Sequence, residues 1–171
     1  MLKCGVLTDV QGADVADFVF KHTPTYATNY SLPVHRDFVD SRDAHGNTFL
    51  MRIINTKMIP EYDILQFMVR QPMYAESLLC VNDDGDNALL LACREGHARI
   101  VMHIVETGAL CVSVINSMGT TAAMEACRAI PNLKLTEVLT SLLESGQPLH
   151  LDETDVDGKT AMHYCSHRCR N

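Results

Sequence analysis

The sequence predicts an all-α solenoid of stacked helix-turn-helix units, each carrying a β-turn finger. Three observations predict it. Four turn signals recur along the chain: Asp43-Ala44-His45-Gly46-Asn47-Thr48, Asn82-Asp83-Asp84-Gly85-Asp86-Asn87, Asn116-Ser117-Met118-Gly119-Thr120-Thr121 and Asp155-Val156-Asp157-Gly158-Lys159-Thr160. Their glycines lie 39, 34 and 39 residues apart, a spacing that marks stacked repeats. Apolar residues at helical spacing follow the turns, with small residues such as Ala92-Cys93 and Ala126-Cys127 where two backbones must approach.

Each element follows from local chemistry. The Asp or Asn that opens a turn can accept bonds from nearby backbone N–H groups, and the glycine supplies left-handed backbone. Two residues after the glycine, Thr48, Asn87, Thr121 or Thr160 can cap the helix that follows. Second helices are predicted over residues 63–69, 98–105 and 135–143 from their apolar stripes, with Gly108 and Gly146 stopping two of them. The stripes read as core. Pro60 and Pro131 lie in longer inter-helix segments, residues 55–60 and 129–135, and forbid a single straight helix there. The connection over 71–81 reads as long and irregular.

The ends differ from this pattern. Residues 1–42 are expected to form a degenerate capping helix near Gly12–Lys21 and then an extended arm, whose Tyr26, Tyr30 and Phe38 pack on the first unit. The array is expected over 43–171, with units starting near 43, 82, 116 and 155. The last unit has a turn and a first helix and no second helix. Ala161, Met162 and Cys165 are expected on its stacking side, and the chain reads as the N-terminal part of a larger protein.

These residues resemble ankyrin repeats over 43–168. The family's Thr-Pro-Leu-His tetrapeptide is matched best by Thr160-Ala161-Met162-His163 and degenerately by Thr48–Met51, Asn87–Leu90 and Thr121–Met124. Gly96-His97 and Ile100-Val101 stand as further family elements. The resemblance implies a protein-recognition module that is not an enzyme and needs no cofactor. It binds through a concave face made of turn tips and the exposed side of the first helices. Carried over position by position, that face comprises Ala44, His45, Asn47, Asn55 and Thr56, then Asp83, Asp84, Asp86, Arg94 and Glu95. Ser117, Met118, Thr120 and Arg128 continue it, and Val156, Asp157, Lys159, His167 and Arg168 complete it. Asn82 and Asn116 occupy the hairpin position that is hydroxylated in some ankyrin proteins, although Cys80 and Val114 stand where an acidic residue would precede them.

Composition bounds the partner. The net charge is −7, from 14 basic and 21 acidic residues. A phosphate-binding surface needs clustered Lys and Arg, so nucleic acid is not expected. The acidic central patch points to a protein or peptide with basic residues, steered by charge. No apolar run reaches the roughly 20 residues of a membrane helix, so no membrane insertion is expected. Seven scattered cysteines without a disulfide rhythm read as reduced, and the chain reads as intracellular, in cytoplasm or nucleus.

Two other readings stand beside this one. The array could be a regulatory or spacer module docking on a later domain of its own polypeptide. More remotely, His163, Cys165, His167 and Cys169 alternate at i, i+4 spacing on one helix and could hold a metal or support catalysis. Against this, His163 is the motif histidine that braces turns, Cys165 replaces a buried alanine, and a closed zinc site wants four ligands.

Overall fold

The computed structural model describes residues 42–55, 74–107, 110–129 and 132–168. The expected capping helix and arm, the second helix over 63–69, Thr56 and the Gly108 stop lie outside them. The described helices are α1 (Phe49–Asn55), α2 (Ala75–Leu79), α3 (Ala88–Arg94), α4 (Ala98–Glu106), α5 (Ala122–Ala129), α6 (Asn132–Glu144) and α7 (Ala161–Arg168), with a 3-10 turn at Leu110–Ser113. The first helices α1, α3, α5 and α7 pack side by side. The second helices α4 and α6 pack behind them.

The turns repeat the same bonds four times. The Oδ1 of the opening residue accepts from the N–H groups two and four positions on: His45 and Asn47 at Asp43, Asp84 and Asp86 at Asn82, Met118 and Thr120 at Asn116, Asp157 and Lys159 at Asp155. The helices then start as the caps predict in three units. Thr48, Asn87 and Thr121 accept from the N–H of Met51, Leu90 and Met124. Thr160 departs from this. Its own N–H donates to His163 Nδ1 at 3.0 Å, and its hydroxyl lies 2.9 Å from the same nitrogen. The motif histidine thus braces its own turn.

Turns are also joined to one another by a backbone ladder. Asp83 N–H donates to His45 C=O, Ser117 N–H to Asp84 C=O and Val156 N–H to Met118 C=O, at 3.0 to 3.1 Å. This ladder explains the glycines twice over. Gly85 has a φ of 78°, and a Cβ there would lie 2.9 Å from the Ser117 nitrogen of the next turn. Gly158 shares the φ (73°) but has nothing within 4 Å of that position.

Among the described residues, helix faces fill two apolar clusters, the second at the junction of the third and fourth units. In the position four residues after the turn glycine, Leu50, Leu89 and Ala123 are at most 1% exposed, whereas Met162 is 71% exposed. Met162 therefore looks outward. Ala161 and Cys165 pack against the third unit, beside Ala123, Met124 and Cys127.

Two connections differ from expectation. The segment 71–81 contains α2, which buries Tyr74 and Leu78 in the core, and burial pushes the Tyr74 hydroxyl up to about 12. Helix α6 starts at Asn132, directly after Pro131, so the third inter-helix segment is shorter than the proline suggests. It ends before Gly146, whose φ of 68° supplies the expected stop. His97 opens α4, and its Nε2–H donates 3.2 Å to the Ile54 carbonyl of the preceding unit.

Candidate turn-tip face

The ladder presents a row of side chains at regular intervals, because its bonds involve backbone only. In chain order the row reads Ala44-His45, Asp83-Asp84, Ser117-Met118 and Val156-Asp157, all exposed. Asn55, Arg128 and Lys159 are exposed as well, while Arg94 and Glu95 are half-buried. His167 and Arg168 close α7, with side chains outside the described set.

Three of the expected face residues are internal. Asn47 is 8% exposed, Asp86 0% and Thr120 6%. They occupy the position after the turn glycine, and two of them serve the stack. Asn47 Oδ1 accepts from Asn82 Nδ2 at 2.9 Å, and Asp86 Oδ1 accepts from Asn116 Nδ2 at 2.7 Å. This accounts for the choice between Asn and Asp at the turn openings. Asn82 and Asn116 each need an amide donor toward the unit before them. Asp155 faces Thr120 in that register and instead accepts from the Tyr164 hydroxyl of its own unit.

Asp86 belongs to a buried ionic network. Arg94 donates from Nη1 (2.5 Å) and Nη2 (2.9 Å) to its carboxylate, and from Nε and Nη2 to Glu125 Oε1. Glu125 is 1% exposed and also pairs with Arg128, whose Nη2 lies 2.9 Å from its Oε2. Burial works against the Arg94 charge, but the bonds to Asp86 and Glu125 outweigh it and hold the guanidinium above its ordinary range. The four charges balance, and they join the second unit to the third.

The acidic patch is accordingly smaller than the sequence suggests: Asp83 and Asp84 form its exposed part. Glu125 was absent from the expected set. Its signal was weak, a single carboxylate inside the apolar helix Ala122–Ala129, three residues before Arg128.

Acid–base behaviour is perturbed at the turns. Burial raises the Asp155 carboxyl, but the Tyr164 hydroxyl and the N–H groups of Lys159 and Asp157 hold it below its usual value. The same bond to Asp155 raises Tyr164. Asp43 is likewise held down by Asn47 and His45, against burial.

A family model for ankyrin repeats, in three copies, matches residues 58–150. The chain belongs to the ankyrin-repeat family. The ankyrin architecture also appears in a structural neighbour, an ankyrin repeat domain from Acinetobacter baumannii, at 20% identity and a TM-score of 0.50. The match covers 92% of this chain and 90% of that one. No curated protein matches the sequence. Ankyrin arrays generally mediate protein–protein interaction, and among the described residues no helix is long and apolar enough to cross a membrane.

The cysteines require a correction. Cys127 and Cys165 are placed as a disulfide pair, with Cα atoms 5.2 Å apart, where the sequence offered no pairing rhythm. The bond also engages one member of the C-terminal His/Cys cluster, and Cys169 lies outside the described residues.

Proposed function

We propose that this ankyrin array is a scaffold that binds a partner protein through its turn-tip row and the adjoining concave side of the first helices. The observation that carries this reading is the row itself. A regular backbone ladder holds exposed side chains whose identity changes from turn to turn, acidic at Asp83-Asp84 and apolar at Met118 and Val156. Met118 is 54% and Val156 65% exposed, side by side across one ladder bond. A partner segment with basic residues is steered by the aspartates and anchored by the apolar pair.

A second reading has the same array dock on another domain of its own polypeptide. The observation on its side is Met162, exposed at a position that is buried in every preceding unit.

The test is affinity capture from cell extract with the wild-type chain and the D83K/D84K double variant, read by mass spectrometry. A protein retained by the first and lost by the second, with association that slows as salt rises, supports the tip row. Equal capture by both removes the aspartates from the site. Asp86 is unsuitable as a probe because its loss disturbs the stack.

A further inference from the structure

Cys127 and Cys165 lie on neighbouring units, α5 and α7, with Cα atoms 5.2 Å apart and 38 residues between them in sequence. Their positions in the repeat are informative. Cys165 stands seven residues after its turn glycine, where the second and third units carry Ala92 and Ala126, both 0% exposed. Alanine therefore suffices for packing at this position, and the sulfur adds a bond across the junction. One junction earlier the equivalent positions are Cys93 and Ala126, which cannot form such a bond.

Among the described residues, few buried groups of the fourth unit hold it to the third. It contributes Ala161 as its buried apolar side chain, with Tyr164 and Cys165 partly buried beside it, and Met162 points to solvent. One ladder bond, from Val156 N–H to Met118 C=O, joins its turn to the third. The second and third units are joined more firmly, by the Asp86–Arg94–Glu125 network and the Asn116 amide. Among the described residues, the covalent bond thus reinforces a junction without the ionic network of the one before it.

We propose that Cys127–Cys165 is a reversible redox clamp that decides whether the fourth unit stays docked on the array. Cys165 is partly exposed and Cys127 is 2% exposed, so an external thiolate attacks the Cys165 sulfur. The sulfur–sulfur bond breaks, and Cys127 leaves as a thiolate that takes a proton from solvent. A second external thiol attacks the mixed disulfide, releasing Cys165 as a thiol and leaving the external pair oxidised. Two electrons and two protons pass from a dithiol, or from two monothiols, to the protein. In the reduced state the fourth unit is held by its apolar contacts and the Val156–Met118 ladder bond, and local opening follows. The clamp is independent of any partner.

The experiment uses the 171-residue chain equilibrated with oxidised glutathione or with dithiothreitol, beside C165A, which carries the alanine of the other units. Peptide mass spectrometry reads the 127–165 link, and hydrogen exchange reads residues 161–166. The expected result is a linked peptide under oxidised glutathione and loss of the link in dithiothreitol. Exchange at 161–166 then accelerates roughly tenfold or more and slows again on reoxidation, while residues 98–106 are unchanged. C165A exchanges at the reduced rate in both buffers. Failure of the link to form in the glutathione series overturns the proposal. So does equal protection of 161–166 in linked and reduced protein, or a redox response that persists in C165A.

Discussion

Replacing Asp86 with alanine removes one acceptor shared by three donors: Arg94 Nη1 at 2.5 Å, Arg94 Nη2 at 2.9 Å and Asn116 Nδ2 at 2.7 Å. Breaking one side of a buried ion pair costs about 3–5 kcal/mol. The Arg94 side chain is 31% exposed and keeps Glu125, so water offsets part of its loss and the lower end applies. The Asn116 amide, in a residue 8% exposed, adds a desolvation cost of about 1–3 kcal/mol. The two terms overlap because they count the same carboxylate, which places D86A near 3 kcal/mol of destabilisation, or a melting temperature lower by about 10 °C. Asp84, two residues earlier in the same turn, is exposed, and D84A should stay within about 0.5 kcal/mol of wild type. Urea unfolding followed by circular dichroism measures both. The m-values should be compared first, because repeat arrays can lose two-state behaviour. A D86A protein within about 1 kcal/mol of wild type, or a D84A protein as unstable as D86A, would refute the buried-network argument.

Two further predictions follow from the turns. G85A should destabilise the array by clearly more than G158A: both residues have positive φ, costing about 1–2 kcal/mol for a side chain, but the Gly85 Cβ would also press on the Ser117 nitrogen at 2.9 Å while Gly158 is open. Equal melting temperatures for the two variants would show that the ladder does not require close approach. The fourth unit should also loosen in acid. Asp155 has a folded-state pKa below its unfolded value near 3.9, so its carboxylate stabilises the turn above that pH, and this contribution is lost as pH falls through the depressed folded value. Tyr164, raised by the same bond, stabilises the folded state below its unfolded value and loses that effect as pH rises. Amide exchange of 155–164 against pH reads both limits, and in D155N the acid limb should vanish.

Much of this protein was legible in its sequence because the turns obey short-range rules. An Asx residue three before a glycine, with a capping residue two after it, specifies the same hydrogen bonds wherever it occurs, and all four units make the turn bonds at Asp43, Asn82, Asn116 and Asp155. The stripe of α4 and the stop at Gly146 are equally local. The candidate face was less legible. The residue after each turn glycine sits beside exposed tips in sequence, yet Asn47, Asp86 and Thr120 are buried. The helix α2 was also hidden, since a five-residue helix carries too little periodicity to separate it from a loop.

Sequence by itself determined the turns and the side chains offered at each tip, because turn geometry, capping and helical periodicity act within about ten residues of chain. Only the tertiary structure decided which of those side chains remain available. Stacking brings Asn116 to Asp86 across 30 residues, Glu125 to Arg94 across 31 and Cys165 to Cys127 across 38. A carboxylate beside a turn is a solvated surface charge until a neighbouring unit covers it with a guanidinium and an amide. At that point it must be paired, since a buried charge without partners is far costlier than the same charge in water.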